Sequence, residues 1–243
     1  DRRVAAVVLS NEESSEYAKL YHPYDYEDFK KFAPALPLDD FFQAVLGQVP
    51  DKVIVDEERF WQAAEQFYSE EAWPLLKASL ILSVVNLSTS YLTDEIRVLS
   101  GAYGRALSGV PEAQDKRKAA YHLAQGPFKQ ALGLWYAHEK FSPEAKADVE
   151  KKVATMIDVY KERLAKNDWL TPETREKAIV KLNVIKPYIG YPEELPARYK
   201  DKVVDESASL FENALAFARV EIKHSWSKWN QPVDYKEWGM PAH

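Results

Sequence analysis

The chain contains no cysteine, and only eight of its 243 residues are glycine. Without cysteine there can be no disulfide bond, no thiolate ligand for a metal ion and no thiol nucleophile. A protein without disulfides fits a reducing compartment, and we expect a cytoplasmic location. So few glycines leave little room for the many tight turns of sandwich and barrel folds, so the composition favours helices.

Charge and hydropathy argue against nucleic-acid and membrane partners. The net charge is −6, and the densest basic run is only Lys116-Arg117-Lys118. A nucleic-acid surface needs clustered Lys and Arg to displace counterions, so we expect none. Residues 72–91 are the most apolar stretch, but Lys77, Asn86 and several Ser interrupt it. A membrane span needs about 20 mostly apolar residues. We therefore expect no membrane segment and predict a central helix buried against its neighbours.

Apolar residues recur every three or four positions along most of the chain, which is typical of amphipathic α-helices. Ser142-Pro143 and Thr171-Pro172 each indicate an N-cap followed by proline at the first helical position. Only Lys52 to Val55 is strand-like. The pattern predicts an all-α fold of long amphipathic helices with short connections and negligible β content, forming one helical domain over residues 1–243. The predicted helices span residues 12–20, 38–46, 57–69, 93–108, 115–140, 143–166, 172–185 and 205–229, with a kink or break at Gly126-Pro127.

Motif searches find no complete active site. His138-Glu139 begins the H-E-x-x-H pattern of zinc sites, but Ser142 stands where the second histidine is needed. His122 lies sixteen residues earlier and could approach His138 only if the helix folds back between them. Adjacent carboxylates such as Asp39-Asp40 point in different directions on a helix. We therefore predict no catalytic residue and no metal ligand in this chain, and the substrate-binding residues are unknown.

The stretch from Ile185 to Pro192 indicates a specific local structure. It follows an amphipathic helix, and Pro187 and Gly190 stop that helix and turn the chain. The aromatic residues Tyr188 and Tyr191 can pack under the turn. These residues predict a buried helix exit that aromatic side chains hold in place.

The same residues resemble a signature of the neprilysin and endothelin-converting-enzyme family of zinc endopeptidases. In that family a helix runs from a Trp-Met/Leu pair through Thr-Arg and Ala-x-x-Lys into Ile-Gly-Tyr-Pro. The matching residues are Trp169-Leu170, Thr174-Arg175, Ala178, Lys181-Leu182, Ile185 and Ile189-Gly190-Tyr191-Pro192. Weaker matches in the same order are Leu132-Gly133, Tyr136 and Phe141 upstream, and Pro232-Val233-Asp234, Trp238 and Met240 downstream. The chain resembles in particular the cysteine-free PepO-type oligoendopeptidases of lactic bacteria, and the resemblance runs from about Glu12 to His243.

The resemblance implies a parent protein with two mainly helical domains around a central cavity. In the family, the larger domain carries H-E-x-x-H, a further glutamate ligand and a substrate-binding Asn-Ala-Tyr-Tyr segment, and none of these has a matching position here. The chain therefore resembles the smaller domain, which covers the cavity and admits only short peptides. The resemblance implies that the chain binds no zinc itself and that zinc is bound elsewhere in the parent. Residues 1–56 and 230–243 would lead to further parts of the parent, and the chain alone would be inactive.

The leading hypothesis is thus the non-catalytic, access-restricting domain of a neprilysin-like zinc metalloendopeptidase. Its partners would be the catalytic domain of the parent and short peptides in the cavity, with no nucleic acid. A stand-alone helical module that binds a protein or peptide is the alternative. A self-sufficient enzyme is a third hypothesis, which requires His138-Glu139 to act together with His122.

Overall fold

A computed structural model describes residues 2–240 of the chain. Within this range the chain forms eleven α-helices and a single sheet of two strands, so the predicted all-α class is confirmed. The α-helices are α1 Arg2–Ala5, α2 Tyr26–Phe29, α3 Leu38–Leu46, α4 Glu58–Gln62, α5 Trp73–Ser88, α6 Asp94–Ser100, α7 Ala102–Ser108, α8 Lys116–Lys140, α9 Pro143–Ala165, α10 Pro172–Asn183 and α11 Leu210–Ser227. The strands are β1 His22–Asp25 and β2 Lys52–Val55, and the 3-10 helices are Glu13–Ser15, Tyr17–Lys19, Lys30–Phe32, Ala64–Gln66, Thr89–Tyr91 and Ala197–Asp201.

The chain divides into two compact units. Unit 1 comprises Asp1–Ala113 and Val204–Pro232, and unit 2 comprises Gln114–Val203 and Val233–His243. Each unit therefore contains two separate stretches of sequence. The assignment of residues 1–243 to one helical domain, with 1–56 and 230–243 as leading segments, stays a prediction beside this division.

Side-chain caps decide where the long helices begin. Ser142 accepts a hydrogen bond from the Ala145 amide at 3.2 Å, and Thr171 caps α10 in the same way. Both predicted N-caps are confirmed. Helix α11 begins five residues later than predicted, because Ser209 and Glu212 form a capping box at its start. This Ser-x-x-Glu pattern was readable in the sequence and is a better marker of the start than the apolar periodicity.

Three predicted helices are interrupted. Residues 12–20 form two 3-10 helices, residues 57–69 form α4 and a 3-10 helix, and residues 93–108 break at Gly101 between α6 and α7. The side chain of Arg105 folds back across Gly101 and donates to the carbonyl of Val98 at 2.8 Å. A Cβ atom at Gly101 would lie 2.6 Å from this guanidinium, which stands at the end of a flexible side chain and could move aside.

Helix α8 continues through Pro127 without a break, so of the two predicted outcomes the break is wrong and a kink at Gly126-Pro127 stays a prediction. A proline inside a helix costs about 3 kcal/mol, since it removes one amide donor and crowds the preceding turn. Two features of unit 2 offset this cost. Gln130 and Ala137 are buried on the same helix, and Lys202 donates to the Pro127 carbonyl at 2.8 Å. These contacts hold the helix on the C-terminal side of the proline.

The small sheet of unit 1 joins β1 and β2 as antiparallel neighbours. Strand β2 has the predicted bounds, whereas β1 was not predicted. The sequence did not predict β1 because it contains Pro23. Proline is tolerated in a sheet only where its missing amide would face an edge.

An aromatic core packs beneath this sheet. Tyr26, Phe29 and Val55 are buried together. The ring of Phe29 meets Trp61 edge to face at 4.8 Å between centroids, and that of Tyr26 meets Phe42 at 5.5 Å. Edge-to-face pairs of this kind contribute about 0.5–1.5 kcal/mol each beyond the area they bury. The sheet, α2, α3 and α4 are therefore held together by ring packing.

The apolar helix α5 is the main departure from the predicted burial. Ser88 is its one buried residue, and the Leu82 and Leu87 side chains are 60% and 77% exposed. The prediction of a buried central helix is therefore wrong for the part of the chain that the structure describes. No single helix within residues 2–240 has the length and apolar character to span a membrane. The bent pair formed by residues 73–91 and Asp94–Ser100, with 120° between its halves, meets those criteria by length and composition alone.

A buried hydroxyl links this aromatic core to a surface carboxylate. The Tyr26 hydroxyl donates to Asp39 Oδ1 at 2.6 Å, and Lys30 Nζ lies 3.2 Å from the same carboxylate. The Tyr26 hydrogen bond, followed by that of Lys30, lowers the pKa of Asp39. A carboxyl whose pKa is lower in the folded chain stabilises the fold above its unfolded pKa. That stabilisation is lost as the pH falls through the folded pKa.

We expect Tyr26→Phe to lower the urea concentration at the midpoint of unfolding near neutral pH, because the ring stays buried but Asp39 loses its main hydrogen-bond donor. The difference from the wild type should shrink at an acidic pH below the lowered pKa of this carboxyl, where it is protonated. Urea titrations followed by tryptophan fluorescence at both pH values measure this. Asp39→Ala serves as the control, because it removes the acceptor of the Tyr26 hydroxyl and Tyr26→Phe should then have little further effect. An equal loss at both pH values would contradict the assignment.

Candidate functional site

The predicted helix exit lies in unit 2 and depends on Gly190. The backbone of Gly190 has φ of +72°, in the left-handed region that residues with a Cβ atom rarely adopt. A Cβ atom at this position would lie 2.5 Å from Cε1 of Phe141. The Phe141 ring thus occupies the space that the glycine leaves free. Both the conformation and the close approach require glycine here.

Tyr191 is the buried anchor of the exit, with 6% of its surface exposed. Its ring meets His138 edge to face at 5.2 Å between centroids and Phe141 at 6.1 Å. Lys146 Nζ lies 4.5 Å from the centre of the same ring and donates to the Tyr191 carbonyl at 3.1 Å. The predicted exit held by aromatic side chains is therefore present. His138 contributes to it as a packing residue.

A cleft of about 600 Å³ opens beside the exit. Its aromatic lining comes from Tyr188, Tyr191 and Trp238, and its charged lining includes Lys146 and Glu193. Lys146 donates to Glu193 Oε1 at 2.6 Å, and this bond lowers the pKa of the Glu193 carboxyl. Glu193 is largely exposed, so solvent screens the pair and its contribution to stability is small. The cleft offers aromatic surface and paired charges, but no nucleophile with an adjacent base.

The chain segment 233–240 forms one side of this cleft and is held by several contacts, which include an ion pair of Arg198 with Glu237 at 3.5 Å. The Tyr188 hydroxyl donates to the Tyr235 carbonyl at 2.6 Å, and its ring lies 5.1 Å from that of Trp238. Lys186 Nζ lies 3.6 Å from the centre of the Tyr235 ring. The buried Gln130 donates from Nε2 to the Trp238 carbonyl. Sequence reasoning missed Gln130 because 108 residues separate it from its partner, and no local pattern marks such a pair.

The described residues do not fit a metal ion. Within residues 2–240 no group of three or more His, Asp or Glu side chains lies close enough to bind one. His122 and His138 stand on the uninterrupted α8, so sixteen residues at about 1.5 Å each place them about 24 Å apart. This separation excludes the hypothesis that the two histidines form one site. The fifth histidine, His243, lies outside the described residues.

Comparison with solved structures places this helical arrangement among bacterial peptidases. PepO from Lactobacillus rhamnosis HN001 matches with a TM-score of 0.90 and 28% identity, over 99% of this chain and 38% of that chain. A putative zinc metalloproteinase of Streptococcus gordonii is 70% identical over the whole chain, which covers 43% of that relative. The neutral endopeptidase of Lactococcus lactis is 41% identical over 96% of this chain and 37% of its own length.

The sequence model of the N-terminal region of peptidase family M13 matches residues 1–192. The chain therefore belongs to peptidase family M13. It spans less than half the length of the two relatives. Family membership confirms the resemblance to neprilysin-like and PepO-type metallopeptidases that Ile189-Gly190-Tyr191-Pro192 indicated. The alternative of a stand-alone binding module has no comparable support.

We expect Gly190→Ala to destabilise unit 2 by about 2 kcal/mol or more, because the new methyl group meets Phe141 and the backbone is held at positive φ. Gly104→Ala is the matched control, since Gly104 lies inside α7 with open space around its Cα. That control should stabilise the chain by about 0.5–1 kcal/mol, as alanine is the better helix former. Urea unfolding of both variants checks the prediction. Unchanged stability of Gly190→Ala would show that the exit adjusts freely.

Proposed function

We propose that this chain is the non-catalytic helical part of an M13 zinc metalloendopeptidase, where it covers the active-site cavity and admits only short peptides. One observation carries the proposal: a chain that belongs to the M13 family has no group of metal-binding side chains in its described part. The zinc-binding and catalytic residues are then supplied by the remainder of the parent. The S. gordonii relative is more than twice as long, which leaves ample sequence for them.

The rigidity of each unit is suited to a domain that covers an active-site cavity. A wall that excludes folded proteins must keep its shape while a substrate passes. The capped helices, the aromatic core of unit 1 and the Gly190 exit of unit 2 supply that rigidity. Closure of such a wall over a short peptide excludes water from the reacting bond. The chain's own residues then act by positioning and by exclusion, and the hydrolytic step belongs to the parent's other part.

The partners follow from this assignment. The catalytic domain of the parent is the protein partner, and short peptides that enter the cavity are the ligands. The parent binds zinc outside this chain. The lack of cysteine supports a cytoplasmic location for the parent, where disulfides are rarely formed.

Zinc analysis separates the roles of the chain and its parent. We expect the 243-residue chain, after dialysis with excess zinc, to retain no stoichiometric zinc and to cleave no peptide. The full-length parent should retain about one zinc per molecule, as catalytic zinc sites do. Atomic absorption and a fluorogenic peptide assay measure both quantities. Stoichiometric zinc in the isolated chain would overturn the proposal.

A length series of peptides tests the covering role. We expect kcat/KM of the parent to fall steeply as one cleavable sequence is embedded in longer peptides and then in a folded protein. Gly190→Ala in the parent, which loosens the cover, should raise the cleavage of long peptides relative to short ones, while Gly104→Ala should not. Equal cleavage at every length in the wild-type parent would contradict restricted access.

A further inference from the structure

The segment 233–240 contains no helix or strand and is attached to the rest of unit 2 through side chains. The Tyr188 hydroxyl donates to the Tyr235 carbonyl, and Gln130 Nε2 donates to the Trp238 carbonyl. In both contacts the partner outside the segment is a side chain. The segment can therefore leave without breaking the backbone hydrogen bonds of α8, the helix that carries Gln130.

Two charged contacts add to this attachment. Lys186 Nζ lies 3.6 Å from the centre of the Tyr235 ring, but Tyr235 is 60% exposed and solvent weakens the interaction. Arg198 Nη1 lies 3.5 Å from Glu237 Oε1, and these side chains are more shielded from solvent. The segment is thus held by several separate contacts of modest strength, which can break and form again together.

Two buried atoms oppose the attachment. Nε1 of Trp238 and Oε1 of Gln130 are buried and have no hydrogen-bond partner among residues 2–240. An indole nitrogen can only donate and an amide oxygen can only accept, so neither atom can be satisfied by a change of role. Their burial destabilises the attached state, because both atoms would bond to water once the segment leaves. The same two residues therefore hold the segment and also favour its release.

Release of the segment would change the neighbouring cleft. Lys236 and Trp238 line the cleft from the segment, and Tyr188 lines it from the helix exit. The rings of Trp238 and Tyr188 meet edge to face at 5.1 Å between centroids, so release uncovers Tyr188 and removes one wall of the cleft. The helix exit itself would remain, because the contact of Gly190 with Phe141 does not involve the segment.

We propose that segment 233–240 is a releasable strap, which detaches from unit 2 as one piece while α8 stays folded. The attached strap closes one side of the cleft, and its release opens that side. Release is a local opening that costs less free energy than the unfolding of unit 2. The unsatisfied atoms of Trp238 and Gln130 set this low cost. The device concerns unit 2 alone and does not depend on the covering role.

Hydrogen exchange at Trp238 tests whether the strap opens on its own. The indole N–H is buried, so it exchanges only while the strap is released. In the 243-residue chain we expect it to exchange at least about tenfold faster than the slowest amides of α8, after correction for intrinsic rates. NMR spectra recorded in deuterated buffer measure both. Exchange as slow as that of those amides would overturn the proposal, because the strap would then leave only when unit 2 unfolds.

Removal of the indole N–H tests the bias toward release. Trp238→benzothienylalanine keeps the shape of the ring but has sulfur in place of the N–H group. This change should stabilise the attached strap and slow tryptic cleavage after Lys236 about fivefold or more, since cleavage requires the released strap. Mass spectrometry of the fragment 237–243 measures the rate. Unchanged or faster cleavage would show that the N–H group is satisfied in the attached strap, and would overturn the proposal.

Two tyrosine variants form a matched pair for the contacts that hold the strap. Tyr188→Phe keeps the ring against Trp238 but loses the bond to the Tyr235 carbonyl, so cleavage after Lys236 should rise about threefold to tenfold. Tyr160→Phe changes an exposed residue of α9 and should leave the rate unchanged. Circular dichroism and urea unfolding check that both variants fold. Equal rates in the two variants would also contradict the proposal.

Discussion

The approach of Phe141 to the backbone of Gly190 fixes the path of unit 2 after α10. Because the ring stands where a side chain would be, the chain can turn sharply there only with glycine. The turn places Tyr191 against His138, and Lys146 then bonds to the Tyr191 carbonyl. The turn also sets the positions of Tyr188 and Tyr191, which line the neighbouring cleft. A single position without a side chain therefore organises contacts among residues that are far apart in the sequence.

Local chemistry made much of the fold predictable. Ser142 and Thr171 mark helix starts because a side-chain oxygen can satisfy amides within its own turn. Helix α3 has the predicted bounds, and Gly47, at φ of +77°, ends it. Strand β1 was missed, and the choice between a kink and a break in α8 was left open, because both depend on distant partners. Pro127 stays helical only with the support of packing and Lys202, which are not local signals.

The same distinction between local and distant contacts applies to the candidate site. Proline, glycine and tyrosine in a short stretch predicted the helix exit, since each residue acts on its own backbone or its neighbours. The partners were harder to predict, because Lys146 on a helix resembles any solvated lysine until the fold places Tyr191 beneath it. The family resemblance could mark Phe141 as a match without indicating that it contacts Gly190. A role that depends on contact between residues far apart in the sequence can be assigned only from the structure.

The exposure of α5 also bears on how the protein reaches its folded form. The helix carries its own apolar side chains on every side, so it has no polar face to present to water. Each uncovered Å² of such surface favours association by about 25 cal/mol when buried. Exposed apolar surface of this kind makes incompletely folded chains prone to associate with one another. Association through α5 therefore competes with folding for the same apolar side chains.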